Sequence, residues 1–565
     1  MSNYDAIVVG SGMSGGWVAK ELCERGLKVL VLERGNNVRH QIDYTDNLTP
    51  WQEANIPPLT EHEKKVVYPI QSKVYAFTHV NKKLWVKDNE NPYETAGDSQ
   101  FKWYRGYHVG GRSLMWNRQS YRLSQMDFEA NKQDGHGVDW PIRYDDLAPW
   151  YDHVETFAGI SGTEEKLPQL PDSQFLPPFE LNCMEHEAKR NIEKHFPDRT
   201  LIVGRTAHLR KATKEHQDLG RVQCQVRSRC ENGCTFGAYF SSQSATLPAA
   251  QRSGNMTLVT DAIVQSLQHN EAGDRITGVN VIDQNTHKKT TYSARLVFLN
   301  ASAVATAMIL LNSRSKKYPN GLANSSDMVG RNVMDHVGGA GASASTTKFT
   351  DRYFHGRRPN GIYIPRYVNM NEQEPNFVRG FGIQGGAWRH GWQADRQGIG
   401  QDYKNANRLP GSWTMTMWAF GEVLPNENNR ISLNFDKRDQ WGMPLPVMNV
   451  SFGQNERNMM EWASKDIKAM MEKIGFEIEQ SSEDNGLNMT KPGELIHEMG
   501  TARMGREPKT SVLNKWSQSH DIANLFITDG ACMTSSACQN PSLTYMALSA
   551  RAANYAADLF ENNKI

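Results

Sequence analysis

Residues 6–15 read Ala6-Ile7-Val8-Val9-Gly10-Ser11-Gly12-Met13-Ser14-Gly15, and this decapeptide decides the fold. Four consecutive apolar residues suit a parallel strand buried on both faces. The G-x-G-x-x-G turn follows at once. Its glycines permit a tight turn, close backbone approach to a pyrophosphate and close helix–strand packing, and the helix behind it offers free N–H groups to a phosphate. A helix over 15–25, ended by Gly26, and a second strand over 28–32 complete a βαβ opening. Glu33 ends that strand, placed to accept hydrogen bonds from a ribose. A carboxylate there would repel a 2′-phosphate, which disfavours NADP and leaves NAD and FAD open.

Working outward, 565 residues exceed what one simple core organises, so two or more domains are expected. Residues 36–100 are polar, with prolines and aromatics and weak periodicity, and read as an excursion that covers the cofactor. Strand and helix patterns return near 255–267 and 296–312. Between 313 and 490 the composition shifts to alternating segments, 361–364 and 412–418, which predict strands of a mixed or antiparallel sheet, with a helix over 456–474 packed on it. The last 75 residues return to strand (524–528), loop and helix (542–560). The expected fold class is α/β: a Rossmann-like cofactor domain over 1–312, an inserted α+β substrate domain over 313–490, and a return to the cofactor domain over 491–565.

Charge excludes some functions. The 63 Lys and Arg nearly balance 62 Asp and Glu, which gives no electrostatic case for nucleic acid or an anionic membrane as partner. No apolar run is long enough to span a bilayer, and the opening Met1-Ser2-Asn3-Tyr4 lacks the pattern of a secretion signal. A cytoplasmic location is expected. Seven cysteines, an odd number, do not suggest a disulfide framework.

Several separated motifs resemble the glucose–methanol–choline (GMC) oxidoreductase family, which is FAD-dependent. They are the opening turn, the glycine-rich stretch Val109-Gly110-Gly111-Arg112-Ser113-Leu114-Met115-Trp116-Asn117, the segment 421–430, His497-Glu498-Met499-Gly500-Thr501-Ala502-Arg503-Met504-Gly505, and Thr528-Asp529-Gly530 with Asn540-Pro541. The resemblance runs over nearly the whole chain. It implies FAD as cofactor, with Gly110, Gly111, Ser113 and Asn117 along the flavin, Asp529 and Gly530 at the phosphate–ribityl region, and Val264 presenting backbone to the adenine. Ile263-Val264 also reads simply as a core strand.

Oxidising an alcohol by hydride loss requires its hydroxyl proton to leave as well, and an imidazole suits that task because its pKa lies near the working pH. Of 17 histidines, His497 sits in the segment similar to the family's catalytic-histidine motif, and the resemblance places Asn540 beside it to donate to the substrate oxygen. Asn540 and Pro541 also read as N-cap and first residue of the final helix, whose positive end would face the flavin.

Cys224, Cys230 and Cys234 crowd together in a basic stretch, 221–240, with Arg221, Arg227 and Arg229. Three readings stay open: an iron–sulfur cluster of three-iron type, no metal, or zinc. The segment resembles the cluster-binding insert of sugar dehydrogenases in the family, although Arg227 stands where a further cysteine is expected. A cluster would send electrons one at a time to a haem or quinone acceptor and favour a dehydrogenase over an O2-using oxidase. In the 384–422 region, Gln384, Trp388, Trp418 and Glu422 are candidate substrate contacts, with Trp413 and His390 nearby. Aromatic faces and hydrogen-bonding groups suit a pyranose. Trp413 and Trp418 have odd spacing, so only one of them is expected to face a given side of a strand.

The resemblance points to bacterial sugar dehydrogenases: gluconate 2-, fructose 5-, glucose 1- or glucoside 3-dehydrogenases, with the last favoured by 108–116 and 239–243. It also implies a small partner subunit; an enzyme co-exported with a signal-bearing subunit would be periplasmic. A non-catalytic flavin-binding subunit is the reading an intact His497 and Asn540 argue against.

Overall fold

A computed structural model describes residues 4–352, 358–392, 399–408 and 410–565. The apolar run becomes the strand Ala6–Val9, wholly buried, at the centre of a five-stranded parallel sheet. Its neighbours are Val29–Leu32 and Leu296–Leu299, and the outer strands are Met256–Val259 and Leu525–Ile527. Strands from both ends of the chain thus share one sheet, because a strand buried on both faces needs partners on both edges. The helix Met13–Glu24 packs against the final helix Ser542–Glu561 on one face.

The second large sheet is antiparallel throughout its described pairings and has seven strands. Its centre is the pair Phe381–Arg389 and Trp413–Glu422, flanked by Gly341–Thr346 and Ile362–Ile364. The edge strand Ile202–Val203 comes from the segment expected in the cofactor domain, so the sheet draws chain from outside 313–490. The helix Gln454–Ile474 lies across this sheet. Met459, Met460, Ala463, Ile467, Met470, Met471 and Ile474 recur at helical spacing and are buried against strand residues such as Met415, Met417 and Ala419. Alternation puts Trp413 in this core at 1% exposure and leaves Trp418 42% exposed.

Residues 36–100 form turns and short helical segments, Pro50–Ala54, Glu63–Val67, Gln71–Lys73 and Lys82–Leu84, with one two-residue strand, Glu94–Thr95. No helix among the described residues is long and apolar enough to cross a membrane.

Candidate active site

The carboxyl ends of the parallel strands open into a cavity of about 1130 Å³, where an open α/β sheet presents its ligand site. Val9 to Ser14, Glu33, Asn300 to Ala303, and Asp529 with Gly530 line it, each just beyond a strand end. Two glycines of the turn are required sterically. A Cβ on Gly10, at φ +96°, would meet the Asn300 carbonyl oxygen at 2.3 Å, and one on Gly15 would lie 1.9 Å from the Gly10 oxygen. The helix Met13–Glu24 has Gly12 as N-cap and no side chain capping it, so its first N–H groups face the cavity without a protein acceptor.

Glu33 accepts from Ser11 N and Oγ through Oε2 and from Gly35 N through Oε1, while burial raises its pKa. The glycine-rich stretch is stapled to the turn: Gly110 N donates to Ser11 Oγ, and Ser242 Oγ donates to the Ser11 carbonyl. Gly111, Ser113, Asn117 and Val264 line the cavity; Gly110, Gly15 and Pro541 are not among its lining residues. Tyr75, Ala76 and Trp85 bring the 36–100 excursion onto the same wall, joined by Trp103 just past its end. Asp529 accepts from Ala531 N and Thr306 Oγ1, and burial pushes its pKa up to about 6.

These residues fit FAD. The Nδ2 of Asn300 and the Oη of Tyr545 are buried on the cavity wall with no protein hydrogen-bond partner among the described residues, and buried polar atoms of this kind need one. An uncapped helix terminus, a carboxylate at the second strand and orphaned polar atoms meet the phosphate, ribose and flavin chemistry of one dinucleotide. A second uncapped helix, Ser542–Glu561, aims its N-terminus at the same cavity through Ser542 and Tyr545.

At the other end of the cavity the structure brings His497 and Asn540 together, with His497 Nε2 3.5 Å from Asn540 Nδ2. Asn540 is not the N-cap of the final helix. That position belongs to Pro541, and the Asn540 side chain instead meets His497 and Gln384, whose Nε2 donates to Asn540 Oδ1 at 2.7 Å. Gln119 Nε2 donates to Gln384 Oε1, and Tyr121 Oη donates to Gln119 Oε1. His497 follows Ile496, a β-branched residue at φ +66°, a conformation that costs on the order of 1–3 kcal/mol. Asp335 holds this strained corner: its Oδ1 accepts from His497 N at 3.0 Å and its Oδ2 from Gly493 N and Leu495 N. Burial, reinforced by nearby Glu498, pushes the Asp335 carboxyl up to about 7.

His497 has a second neighbour that the sequence did not reveal. His336 Nδ1 lies 3.0 Å from His497 Nδ1, with the two rings at 82°. Burial, His336 and the Arg112 guanidinium all hold the His497 pKa well below its ordinary value, so the ring is a neutral base at pH 7. Arg112 itself pairs with Glu498 at 2.7 Å. Asp335, His336 and His497 bring three metal-type donor groups within 4.8 Å. The Asp335 oxygens are occupied by backbone N–H groups and the two Nδ1 atoms by each other. Asp335-His336 ahead of Gly338-Gly339 is the only trace of this cluster in the sequence, and nothing local ties it to a residue 161 positions away.

Among the substrate candidates, Gln384 and Trp418 line the cavity beside Phe420 and Ser343. Trp388 and Glu422 do not. Glu422 is buried in an ion pair with Arg379 at 2.6 Å, and Arg379 also pairs with Asp134. The buried cation claims the carboxylate that the sequence suggested for a sugar. Trp388 sits half-buried against His390, whose Nε2 bonds Thr414 Oγ1.

Cys224, Cys230 and Cys234 are free and half-buried. Arg227, at the position expected for a further cysteine, instead pairs with buried Asp46, and Arg229 pairs with Glu53.

Two models of the GMC oxidoreductase family match residues 4–338 and 425–549. The fructose dehydrogenase large subunit of Gluconobacter japonicus is 27% identical over 97% of this chain and 97% of its own. The 2-methyl-1,2-propanediol dehydrogenase of Mycolicibacterium austroafricanum is 28% identical over 99% and 96%. A formate oxidase of Aspergillus oryzae RIB40, solved in a study of FAD modification, shares the fold with a TM-score of 0.63 at 15% identity, each chain covered in full. With the dinucleotide cradle and the His–Asn pair on one cavity, the chain belongs to the GMC oxidoreductase family and is an FAD-dependent oxidoreductase acting on CH–OH groups.

Proposed function

We propose that this enzyme oxidises a secondary hydroxyl of a sugar or glycoside to a ketone, with glucoside 3-oxidation the favoured case, and passes the electrons to a partner acceptor. The observation that carries the reading is the 3.5 Å approach of His497 Nε2 and Asn540 Nδ2 on a cavity wall shared with Gln384 and Trp418. Bound FAD supplies the acceptor for the two electrons of the carbinol C–H bond. His497 Nε2 takes the hydroxyl proton as the C=O bond forms. Asn540 Nδ2 donates to the same oxygen and fixes it against the base. The exposed Trp418 face and the Gln384 amide suit a sugar ring, apolar on its CH face and polar at its edge.

Cys224, Cys230 and Cys234 would hold the iron–sulfur cluster of this reading. Buried Arg118 and Arg221 make no ion pair with a carboxylate among the described residues; their hydrogen bonds go to backbone carbonyls of Cys230, and of Gly237, Phe157 and Ala158. Two cations buried beside three thiols favour an anionic centre there. Val226 and Ser228 sit at φ +54° and +57°, strain that a bound group would help to hold. Electrons would leave through the cluster to a haem or quinone partner, with a small subunit as the associated chain.

The test is an iron assay and absorption spectrum of the purified holoenzyme, then anaerobic titration with D-fructose, D-glucose, D-gluconate and methyl α-D-glucoside. Bleaching of the flavin by one of them, with ketone product, is expected. No bleaching by any sugar, with rapid bleaching by a simple diol, would overturn the substrate class. An O2-using oxidase would turn over equally well with air as sole acceptor.

A further inference from the structure

The contact between His497 and His336 lies outside the pair that performs the proposed chemistry. A hydrogen bond between two imidazole nitrogens contains one proton, so at 3.0 Å one ring donates and the other accepts. The donor follows from the cavity side of His497. Asn540 turns its Nδ2 to His497 Nε2 at 3.5 Å, and an amide NH2 only donates, so Nε2 is bare. The neutral His497 ring then carries its proton on Nδ1 and donates it to His336 Nδ1, which leaves the proton of the wholly buried His336 ring on Nε2. The amide chain fixes which end of its side chain Asn540 presents. Tyr121 Oη to Gln119 Oε1 at 2.6 Å, Gln119 Nε2 to Gln384 Oε1 at 3.1 Å, and Gln384 Nε2 to Asn540 Oδ1 at 2.7 Å leave Asn540 with its NH2 facing the bare nitrogen.

We propose that His336 is a positioning residue that fixes the base: it locks His497 into the Nδ1–H tautomer and so keeps Nε2 free for the hydroxyl proton. This rests on His497 being the base. The arrangement serves the role an aspartate serves behind a catalytic histidine, with a neutral acceptor in place of an anion. A carboxylate would stabilise the imidazolium and raise the pKa of His497; a neutral ring orients the proton without doing so. When Nε2 takes the substrate proton, Nδ1–H already has its acceptor, and no ring rotation is needed. Asp335 anchors the backbone of the same turn and bonds neither ring nitrogen.

Two measurements decide it. In the substrate-free holoenzyme labelled with 15N-histidine, with His497→Asn as the subtraction, His497 is expected to show a protonated Nδ1 and a bare Nε2 at pH 7.5. A protonated Nε2 overturns the proposal. In stopped-flow reduction with D-fructose and methyl α-D-glucoside as probes, His336→Leu is expected to slow flavin reduction ~10²-fold or more at nearly unchanged substrate affinity. His336→Gln is expected to recover most of this, because Oε1 accepts from Nδ1–H. Leu within threefold of the parent enzyme, or Gln no better than Leu, refutes the role. If neither probe reduces the flavin, the sugar reading fails while the 15N result still decides the tautomer; if His336→Leu loses FAD, the Gln variant and the 15N result decide.

Discussion

Replacing His497 with alanine separates cofactor binding from base catalysis. The dinucleotide cradle is built from Gly10 to Ser14, Glu33, Asn300 and Asp529, none of which touches the imidazole. The strained turn at Ile496 is held by Asp335 through the backbone N–H of residue 497, which alanine keeps. The variant therefore retains FAD and its fold. The side chain deleted is the neutral imidazole beside Asn540, and general base catalysis of this kind is worth about 10²–10⁴-fold, or ~3–5 kcal/mol of barrier. Anaerobic stopped-flow bleaching at 450 nm, roughly where flavins absorb, reads this directly and excludes effects on the acceptor side. A fall of at least 10² in the limiting rate is expected, with FAD content unchanged and partial rescue by added imidazole in the vacated space. Reduction within threefold of the parent rate, with FAD fully bound, would refute the assigned base.

Two other outcomes follow from the same geometry. Glu422→Ala leaves Arg379 buried with Asp134 as its remaining carboxylate, so a loss of about 3 kcal/mol, at the low end for a broken buried pair, is expected as a lower urea midpoint, with sugar affinity within threefold; unchanged stability with weakened sugar binding would return Glu422 to the substrate. Burial, His336 and Arg112 hold the pKa of His497 well below the ordinary imidazole range, so the neutral base persists as pH falls, and the reduction rate should show no imidazole titration across that ordinary range; an acid limb with the pKa of a free imidazole would contradict that environment.

Much of the cofactor site was legible in the chain because its determinants are local. A strand, a turn that sterically demands Gly10 and Gly15, and a helix terminus follow one another within twenty residues, and their geometry comes from backbone sterics and periodicity. His497 and Asn540 were legible through motif resemblance, and only the fold put 3.5 Å between them. Local rules put the N-cap of the last helix at Asn540, one residue before Pro541, and only the fold shows the Asn540 amide meeting Gln384 and His497. Glu422 looked like a sugar ligand because its partner, Arg379, lies 43 residues away on a neighbouring element.

What the sequence by itself determined is therefore the dinucleotide-binding βαβ unit, the presence of a second large sheet with a helix packed on it, and the candidate for the base. What only the tertiary structure decided is the environment of that base: Asp335 behind its backbone, His336 behind its ring, and the amide chain through Gln384 that orients Asn540. Periodicity and turn chemistry act over a few residues, whereas a hydrogen bond between side chains 161 positions apart exists only once the loop that carries His497 has folded against the strand that carries His336.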